Sequence, residues 1–161
     1  MEARRYRVET ASEAADAVEE LISRGVRRLD ILSPDLDSAL YDRLEVVDAV
    51  RQLAVSGGRR ARVRILIRDG GELVRRGHRL ANLAQQLTSA MDIRRLAEED
   101  ADDATAFMVV DGRDAVRWEA GRDYSGMVEP GARGVARRLE RDFTERWERA
   151  EPDIELRRLS L

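Results

Sequence analysis

The sequence contains no cysteine and only one histidine, His78. Without thiols the chain cannot form disulfides, thiolate metal sites or a cysteine nucleophile, and a single imidazole cannot build a His-rich zinc site. Lysine is also absent, so all 29 basic side chains are arginines. This excludes Schiff-base lysines, the phosphate-loop lysine and Ser–Lys dyads. We therefore expect no metal site of these kinds and no cofactor.

Long apolar runs are missing as well. No segment approaches ~18 consecutive apolar residues, and no charged-then-apolar signal peptide opens the chain. We therefore expect a soluble, cytoplasmic protein without membrane contact. Its 161 residues, of which 43% are hydrophobic and 38% charged, predict one globular domain over 1–161 with an unusually ionic surface.

Apolar periodicity predicts the order of elements along the chain. Strands are expected over 4–9, 26–33, 61–68, 91–96, 105–110 and 115–119, and helices over about 10–24, 43–56, from after the turn at 69–71 to about 88, and 132–150. The third helix should be split near Gly77, the segment 120–131 should be a loop, and the apolar tail 151–161 should dock on the body. This order predicts an α/β fold with a mixed, largely parallel sheet and helices on both faces.

Two helix starts carry capping signals. Thr10 and Glu13 form a Thr-x-x-Glu capping box before the first helix, and Asp42 with Glu45 suggests a second capping pair. In the last helix, apolar side chains recur every four residues and predict a face packed on the sheet: Leu139, Phe143 and Trp147.

Four segments, LDILSPDL, VRILIRD, FMVVDGRDAV and RRLERDFTERWERA, together resemble one half of a phospholipase D-like (HKD superfamily) nuclease fold. The resemblance covers nearly the whole chain. In that superfamily the hairpin strand carries His-x-Lys-x-x-x-x-Asp, where the histidine attacks phosphorus and the lysine binds phosphate oxygens. Counting back from Asp111, these positions fall on Ala104 and Ala106. The resemblance thus implies a degenerate domain without phosphodiesterase activity, because alanine offers neither a nucleophile nor a cation.

The runs SPDLDSALYD, RGHRL, FTERWE and ELRRL are also similar to an uncharacterised bacterial domain of this degenerate type. Relatives of that domain can accompany GNAT-type acyltransferases, which implies an acyltransferase as a possible partner. The chain itself has no Gly-rich pyrophosphate loop, so acetyl-CoA chemistry is not expected within it. Single-copy members of the fold join two halves face to face, and this implies a homodimer.

Polar residues follow two neighbouring strands of the predicted sheet. Ser33, Asp35 and Asp37 come after one strand and Asp69 after the next, and His78 could approach the same edge. Ligands collect at the carboxyl ends of parallel strands, so these five residues form a candidate acidic rim for a cation or basic ligand. His78 is the one side chain there whose ordinary pKa allows proton transfer near neutrality. The alternative interpretation is structural, since aspartates after proline or before Gly-Gly form turns and caps.

Two arginine clusters suggest phosphate binding: Arg59, Arg60, Arg62 and Arg64, and then Arg75, Arg76 and Arg79. The net charge of −3 and the few aromatic residues favour a salt-bridged surface over nucleic-acid binding. Three functions stay open. The first is a non-catalytic module for binding or assembly, the second is an enzyme using the acidic rim with His78, and the third is an arginine-dependent nucleic-acid binder.

Overall fold

A computed structural model describes residues 4–102, 104–119 and 123–158. The strands are β1 (Tyr6–Val8), β2 (Arg28–Leu32), β3 (Arg62–Ile67), β4 (Met91–Arg95), β5 (Ala106–Val110), β6 (Asp114–Trp118), β7 (Gly126–Glu129) and β8 (Glu151–Pro152). The helices are α1 (Ala11–Ser23), α2 (Ser38–Tyr41), α3 (Leu44–Ser56), α4 (Gly71–Arg76), α5 (Arg79–Gln86), α6 (Glu98–Ala101), α7 (Arg133–Arg149) and α8 (Ile154–Arg158).

The strands form one sheet in the order β1-β7-β6-β5-β2-β3-β4-β8. Among the strands of the described ranges, only β2, β3 and β4 run parallel to one another. The remaining pairings are antiparallel, including β5 against β2 and the β5–β6 hairpin. The prediction of an α/β fold is confirmed, but the expectation of a largely parallel sheet was wrong. Hairpin and edge strands outnumber the crossover-connected ones, and the former pair antiparallel.

Strand β3 shows how the sheet separates two cores. Val63, Ile65 and Ile67 point toward α1, α3 and α5, where most of the buried apolar side chains lie. Leu66 points the other way, into a smaller core under α7 that includes Phe143. The alternation follows from the two-residue period of a strand, and burial on both faces confirms that helices cover both sides of the sheet.

Helix α1 begins as predicted, because the Thr10 hydroxyl accepts a hydrogen bond from the Glu13 backbone N–H. The second predicted capping pair was wrong. Helix α3 has Arg43 at its N-cap without a side-chain cap. Asp42 instead accepts from the backbone N–H of Arg79, which lies 37 residues later at the start of α5. The Asp42 carboxylate, which the local sequence assigns to the start of α3, thus binds the start of the distant helix α5 instead.

Several short elements lie where loops were predicted, namely α2, α6 and β7. The tail docks in part: Leu156 is buried and Ile154 is exposed, while Leu159 and Leu161 lie outside the described residues. In α7, Phe143 is fully buried, whereas Leu139 and Trp147 are only partly buried. Among the residues that the structure covers, no helix has both the length and the apolar character to cross a bilayer.

Candidate functional site

The loop that follows β2 has a defined shape. Leu36 has a φ of 44°, in the left-handed region, and its backbone N–H donates to the Ser33 carbonyl. The Ser33 hydroxyl accepts from the Asp37 backbone N–H at 3.3 Å. Asp37 in turn caps α2, since its Oδ1 accepts from the Ala39 backbone N–H at 2.9 Å. These bonds fix Asp35 and Asp37 at the carboxyl end of β2.

His78 holds this loop from the opposite side. Its Nε2 donates to the Leu36 carbonyl oxygen at 3.0 Å, and its Nδ1 accepts from the Leu80 backbone N–H at 3.2 Å. These two bonds assign the neutral tautomer protonated at Nε2. The imidazole is 2% exposed, and burial lowers its pKa despite the hydrogen bond to Leu36. Both ring nitrogens are therefore occupied by backbone groups, and His78 acts here as an N-cap for α5.

A cavity of about 360 Å³, which we name the first cavity, opens at the carboxyl ends of β2 and β3. Ala104 and Ala106, to which the resemblance assigns the histidine and the lysine, both line it. Their spacing of two residues places both methyl groups on the same side of the β5 segment. The lining comprises Ser33, Pro34, Asp35, Asp37, Leu40, Tyr41, Arg68, Ala104, Ala106, Trp118, Asp123 and Tyr124.

Two residues that line the first cavity have a polar group without a partner within the described part of the chain. The Tyr41 hydroxyl oxygen and the Trp118 indole Nε1 are both buried without a hydrogen bond. Tyr41 as a whole is 1% exposed, and burial together with the nearby Asp37 carboxylate raises its pKa. The hydroxyl is therefore protonated and able to donate.

A second cavity of about 580 Å³ adjoins the first and shares Asp35, Asp37, Arg68 and Tyr124 with it. Asp69 and His78 lie along this second cavity. The Asp69 side chain is exposed and accepts from the Gly71 backbone N–H at 2.9 Å, the turn-forming role of the alternative interpretation. The five predicted rim residues thus lie along two adjoining cavities, with Ser33 in the first alone.

The rim is less acidic than the sequence suggested, because Arg68 lies among the carboxylates. Its Nε donates to the Ala101 carbonyl at 3.0 Å, and its Nη1 is 4.0 Å from Asp35. The Tyr124 hydroxyl donates to Asp37 at 3.3 Å. Across the described ranges, no group of three or more acidic or histidine side chains has the arrangement to hold a metal ion.

Sequence reasoning missed the aromatic half of this site. Tyr41 lies in the run SPDLDSALYD after the second predicted strand, Trp118 lies in the predicted strand 115–119 and Tyr124 in the segment predicted as loop, and none of the three was given a role. The available signal was position in the sequence. Tyr41 ends the short helix α2, which directly follows the Ser33–Asp37 loop, and Trp118 pairs with Ala106 in the hairpin. Register between β5 and β6 therefore places the indole beside the two alanines.

Asp111 lies at the far end of β5, about five residues or ~16 Å along the strand from Ala106. Its carboxylate accepts from the backbone N–H groups of Val26, Arg27 and Arg28 at 2.8–2.9 Å. Burial alone would raise its pKa, but the three hydrogen bonds lower it below the usual value. Asp111 thus connects the hairpin turn to the start of β2 and does not reach the first cavity.

The arginine clusters are largely engaged with the protein itself. Arg64 donates to Asp30 at 2.8 Å and lies over the ring of Phe143. Arg62 donates to backbone carbonyls, Arg75 and Arg76 pair with Glu72, and Arg79 pairs with Asp42. These contacts form the salt-bridged surface that the charge balance predicted.

Comparisons with known proteins agree with this architecture. Residues 10–159 match the family described as Domain of unknown function (DUF7931). No curated protein matches the sequence. Nuc from Salmonella typhimurium, a phospholipase D family member, is 14% identical with a TM-score of 0.61 over 92% of this chain and 97% of its own. NucT from Helicobacter pylori is 11% identical with a TM-score of 0.64 over 92% of this chain and 98% of its own.

TrmBL2, an archaeal chromatin protein whose structure shows a novel mode of DNA binding, is 17% identical with a TM-score of 0.68 over 92% of this chain. This chain spans about half of TrmBL2, 53% of its length. At these identities the likenesses concern the fold, and they confirm that the fold is phospholipase D-like.

Proposed function

Since the chain belongs to the DUF7931 family and has a phospholipase D-like fold, we propose that it is a non-catalytic module that binds a small molecule in the first cavity. The proposal also includes assembly as a homodimer, as the resemblance implies. Phosphodiester hydrolysis is not part of this function.

One observation supports the proposal above the others: the first cavity is open while Ala104 and Ala106 line its wall. Neither methyl group can attack phosphorus or bind a phosphate oxygen, and the chain has no lysine to replace the missing cation. His78 is no substitute, because both of its nitrogens bond to backbone groups. What persists is a concave pocket with polar groups directed by a rigid sheet, the usual setting of a small-molecule site.

The first test is turnover of bis(p-nitrophenyl) phosphate by the purified protein without added metal. We expect a rate equal to that of buffer. Hydrolysis that Ala106→Leu abolishes, while Ala11→Leu at the start of α1 preserves it, would overturn the non-catalytic assignment. The larger side chain of Ala106→Leu would fill space at the cavity wall, whereas Ala11 does not line either cavity.

The second test addresses binding. A library of soluble metabolites is screened by thermal shift against the wild-type protein, Ala106→Leu and Ala11→Leu. We expect at least one compound to raise the Tm of the wild type and of Ala11→Leu but not that of Ala106→Leu. A library without any cavity-dependent shift would contradict the binding function.

Assembly is tested separately by light scattering coupled to size exclusion. A mass twice that of the 18.3 kDa chain is the expected result. A monomer at micromolar concentration would remove the homodimer from the proposal and leave the cavity argument intact. The acyltransferase partner stays a prediction, which co-purification from the native host would check.

Nucleic-acid binding is the second candidate, and the DNA-binding mode of TrmBL2 is the observation that favours it. The ion pairs of the arginine clusters and the net charge of −3 weigh against it. Titration of duplex DNA into the protein at increasing salt concentration tests this second function. Binding whose logarithmic salt slope decreases on Arg59→Ala and Arg60→Ala would favour the nucleic-acid function.

A further inference from the structure

We propose that the first cavity selects a small zwitterion, whose carboxylate accepts hydrogen bonds from Tyr41 and Trp118 and whose ammonium faces Asp35 and Asp37. α-Amino acids are the simplest members of this ligand class. This inference rests on the proposed binding function and names the chemistry of its ligand.

The acceptor end of the ligand follows from the two buried groups without partners. The Tyr41 side chain is almost completely buried, yet its hydroxyl has no hydrogen-bond partner in the described residues. The Trp118 indole nitrogen is in the same situation, and an indole N–H can only donate. Both residues line one cavity. Buried polar groups are nearly always satisfied, so two such donors at one cavity call for a molecule with acceptor oxygens.

The protonation of Tyr41 strengthens this assignment. Desolvation and the neighbouring Asp37 carboxylate both raise the pKa of the phenol, so the hydroxyl stays protonated and can donate a hydrogen bond to a ligand. A carboxylate oxygen is the matching acceptor, and a hydrogen bond to a charged acceptor is stronger than one to a neutral group.

The cationic end follows from the charge balance of the lining. Three carboxylates, those of Asp35, Asp37 and Asp123, line the cavity with a single arginine, Arg68. The Asp35 side chain is 86% exposed and reaches its arginine neighbour only at 4.0 Å, so it is accessible at the mouth. This side of the cavity attracts a positive group.

These two ends exclude the simpler ligands. A plain anion would satisfy the donors but meet an excess of carboxylates, and a plain amine would suit the carboxylates but leave both donors unsatisfied. A molecule with both charges satisfies the whole lining. The volume of about 360 Å³ accommodates a ligand of amino-acid size.

The test is isothermal titration calorimetry of the full chain with each of the twenty common α-amino acids. The tightest one is then compared with its decarboxylated amine, its deaminated acid and inorganic phosphate. We expect the amino acid to bind at least tenfold more tightly than any of these three probes. An amine that binds equally well would assign a cation site, and an acid or phosphate that binds equally well would assign an anion site; either result overturns the proposal.

Variants separate the two ends. Tyr41→Phe removes only the unpartnered hydroxyl, and we expect at least a fivefold loss of affinity with a Tm that is unchanged or higher. Asp37→Asn keeps the α2 cap and removes the charge, and it should weaken binding of the amino acid as well. Tyr6→Phe on the exposed edge strand is the matched control and should bind as the wild type does. Unchanged affinity in Tyr41→Phe would show that the hydroxyl is merely hydrated and would refute the acceptor end.

Two further outcomes separate the ligand class from the binding function of the first cavity. If no amino acid binds but other metabolites give shifts that Ala106→Leu abolishes, the cavity is a binding site for a different chemistry. If neither amino acids nor library compounds bind, both the inference and the binding function are wrong.

Discussion

The Nε2 of His78 donates to the carbonyl oxygen of Leu36 at 3.0 Å, although 42 residues separate them in sequence. Leu36 is completely buried and lies at a φ of 44°, a region that favours glycine. The imidazole thus stabilises a strained backbone conformation in the loop that presents Asp35 and Asp37 to both cavities. The only histidine of the chain supports the candidate site without entering its chemistry.

Replacing His78 by alanine should lower the free energy of unfolding by about 2–3 kcal/mol, since it leaves the Leu36 carbonyl and the Leu80 N–H without partners. Urea denaturation at pH 7.5 measures the change. Arg76→Ala is the control, because it replaces an exposed side chain of the preceding helix α4. It should lower the free energy of unfolding by less than about 0.5 kcal/mol. A loss for His78→Ala as small as the control's would show that the loop keeps its shape unaided.

The stabilities of the wild type and of His78→Ala should depend differently on pH. Burial lowers the folded-state pKa of His78 below its usual value of 6.5, so the unfolded chain binds a proton more readily. The wild type therefore loses stability as the pH falls below about 6.5, and His78→Ala lacks this loss. The difference between their unfolding free energies should shrink steadily from pH 7.5 to pH 5. A difference that is constant or grows toward acid would contradict a neutral buried imidazole.

Elements with long periodic patterns were predictable from sequence, and short ones were not. Helices α1 and α7 and strands β2 to β6 lie within a few residues of their predicted positions, because each has several apolar residues at one spacing. Helix α2 and strand β7 have four residues each, too few for a period to show. Their conformations depend on tertiary contacts, such as the pairing of β7 with the hairpin strand β6.

Part of the candidate site was likewise predictable from the sequence, and part was not. The edge rule for parallel strands is enough to place Ser33, Asp35 and Asp37 along cavities, since it depends only on where β2 ends. The rule could not predict that Arg68 lies in the site, because the alternating pattern places Arg68 at the end of the predicted strand. Nor could it predict that the Tyr41 hydroxyl and the Trp118 indole N–H have no hydrogen-bond partner among the described residues. Hydrogen-bond satisfaction is a property of three-dimensional packing, and no sequence pattern encodes it.

Substituting Asp111 by asparagine tests the structural role of the hairpin carboxylate. Asparagine tolerates the observed φ of 55°, so the backbone is undisturbed, but its amide group would face the Val26 N–H. We expect a loss of about 1–3 kcal/mol at pH 7 by urea denaturation. Because the folded pKa of Asp111 is lowered, this contribution exists above the usual value of 3.8 and disappears as the pH falls through the folded value. Asp92→Asn, at an exposed strand position, is the control, and an equal loss in both variants would refute the role.

The small core under α7 predicts an order of effects for two aromatic residues. Phe143 is fully buried and makes an edge-to-face contact with Phe107 at 6.4 Å. Phe143→Ala should therefore cost about 3–5 kcal/mol. Trp147 is partly exposed, stacks on Phe143 and lies under Arg94 at 4.3 Å. Trp147→Ala should cost less than Phe143→Ala, with about 1–2.5 kcal/mol of it from the aromatic pair and the cation–π contact together. The reverse order in urea denaturation would mean that Trp147 is a core residue, as its spacing in sequence suggests.

Two adjacent glycines give the sharpest test of how the C-terminal segment docks. The Gly70 backbone N–H donates to Asp153 at 2.8 Å, and the buried Asp153 also accepts from the Leu156 N–H at 3.1 Å. A Cβ at Gly70 would lie 2.6 Å from an Asp153 oxygen, whereas a Cβ at Gly71 would meet nothing closer than 3.4 Å. Gly70→Ala should therefore displace the Asp153 carboxylate from its two N–H donors, and Gly71→Ala should leave it in place. Hydrogen exchange at the Leu156 amide measures the difference, because that N–H is protected only while the Asp153 carboxylate accepts it. We expect at least tenfold faster exchange in Gly70→Ala and wild-type exchange in Gly71→Ala; equal protection in both would show that the segment docks through Leu156 packing alone.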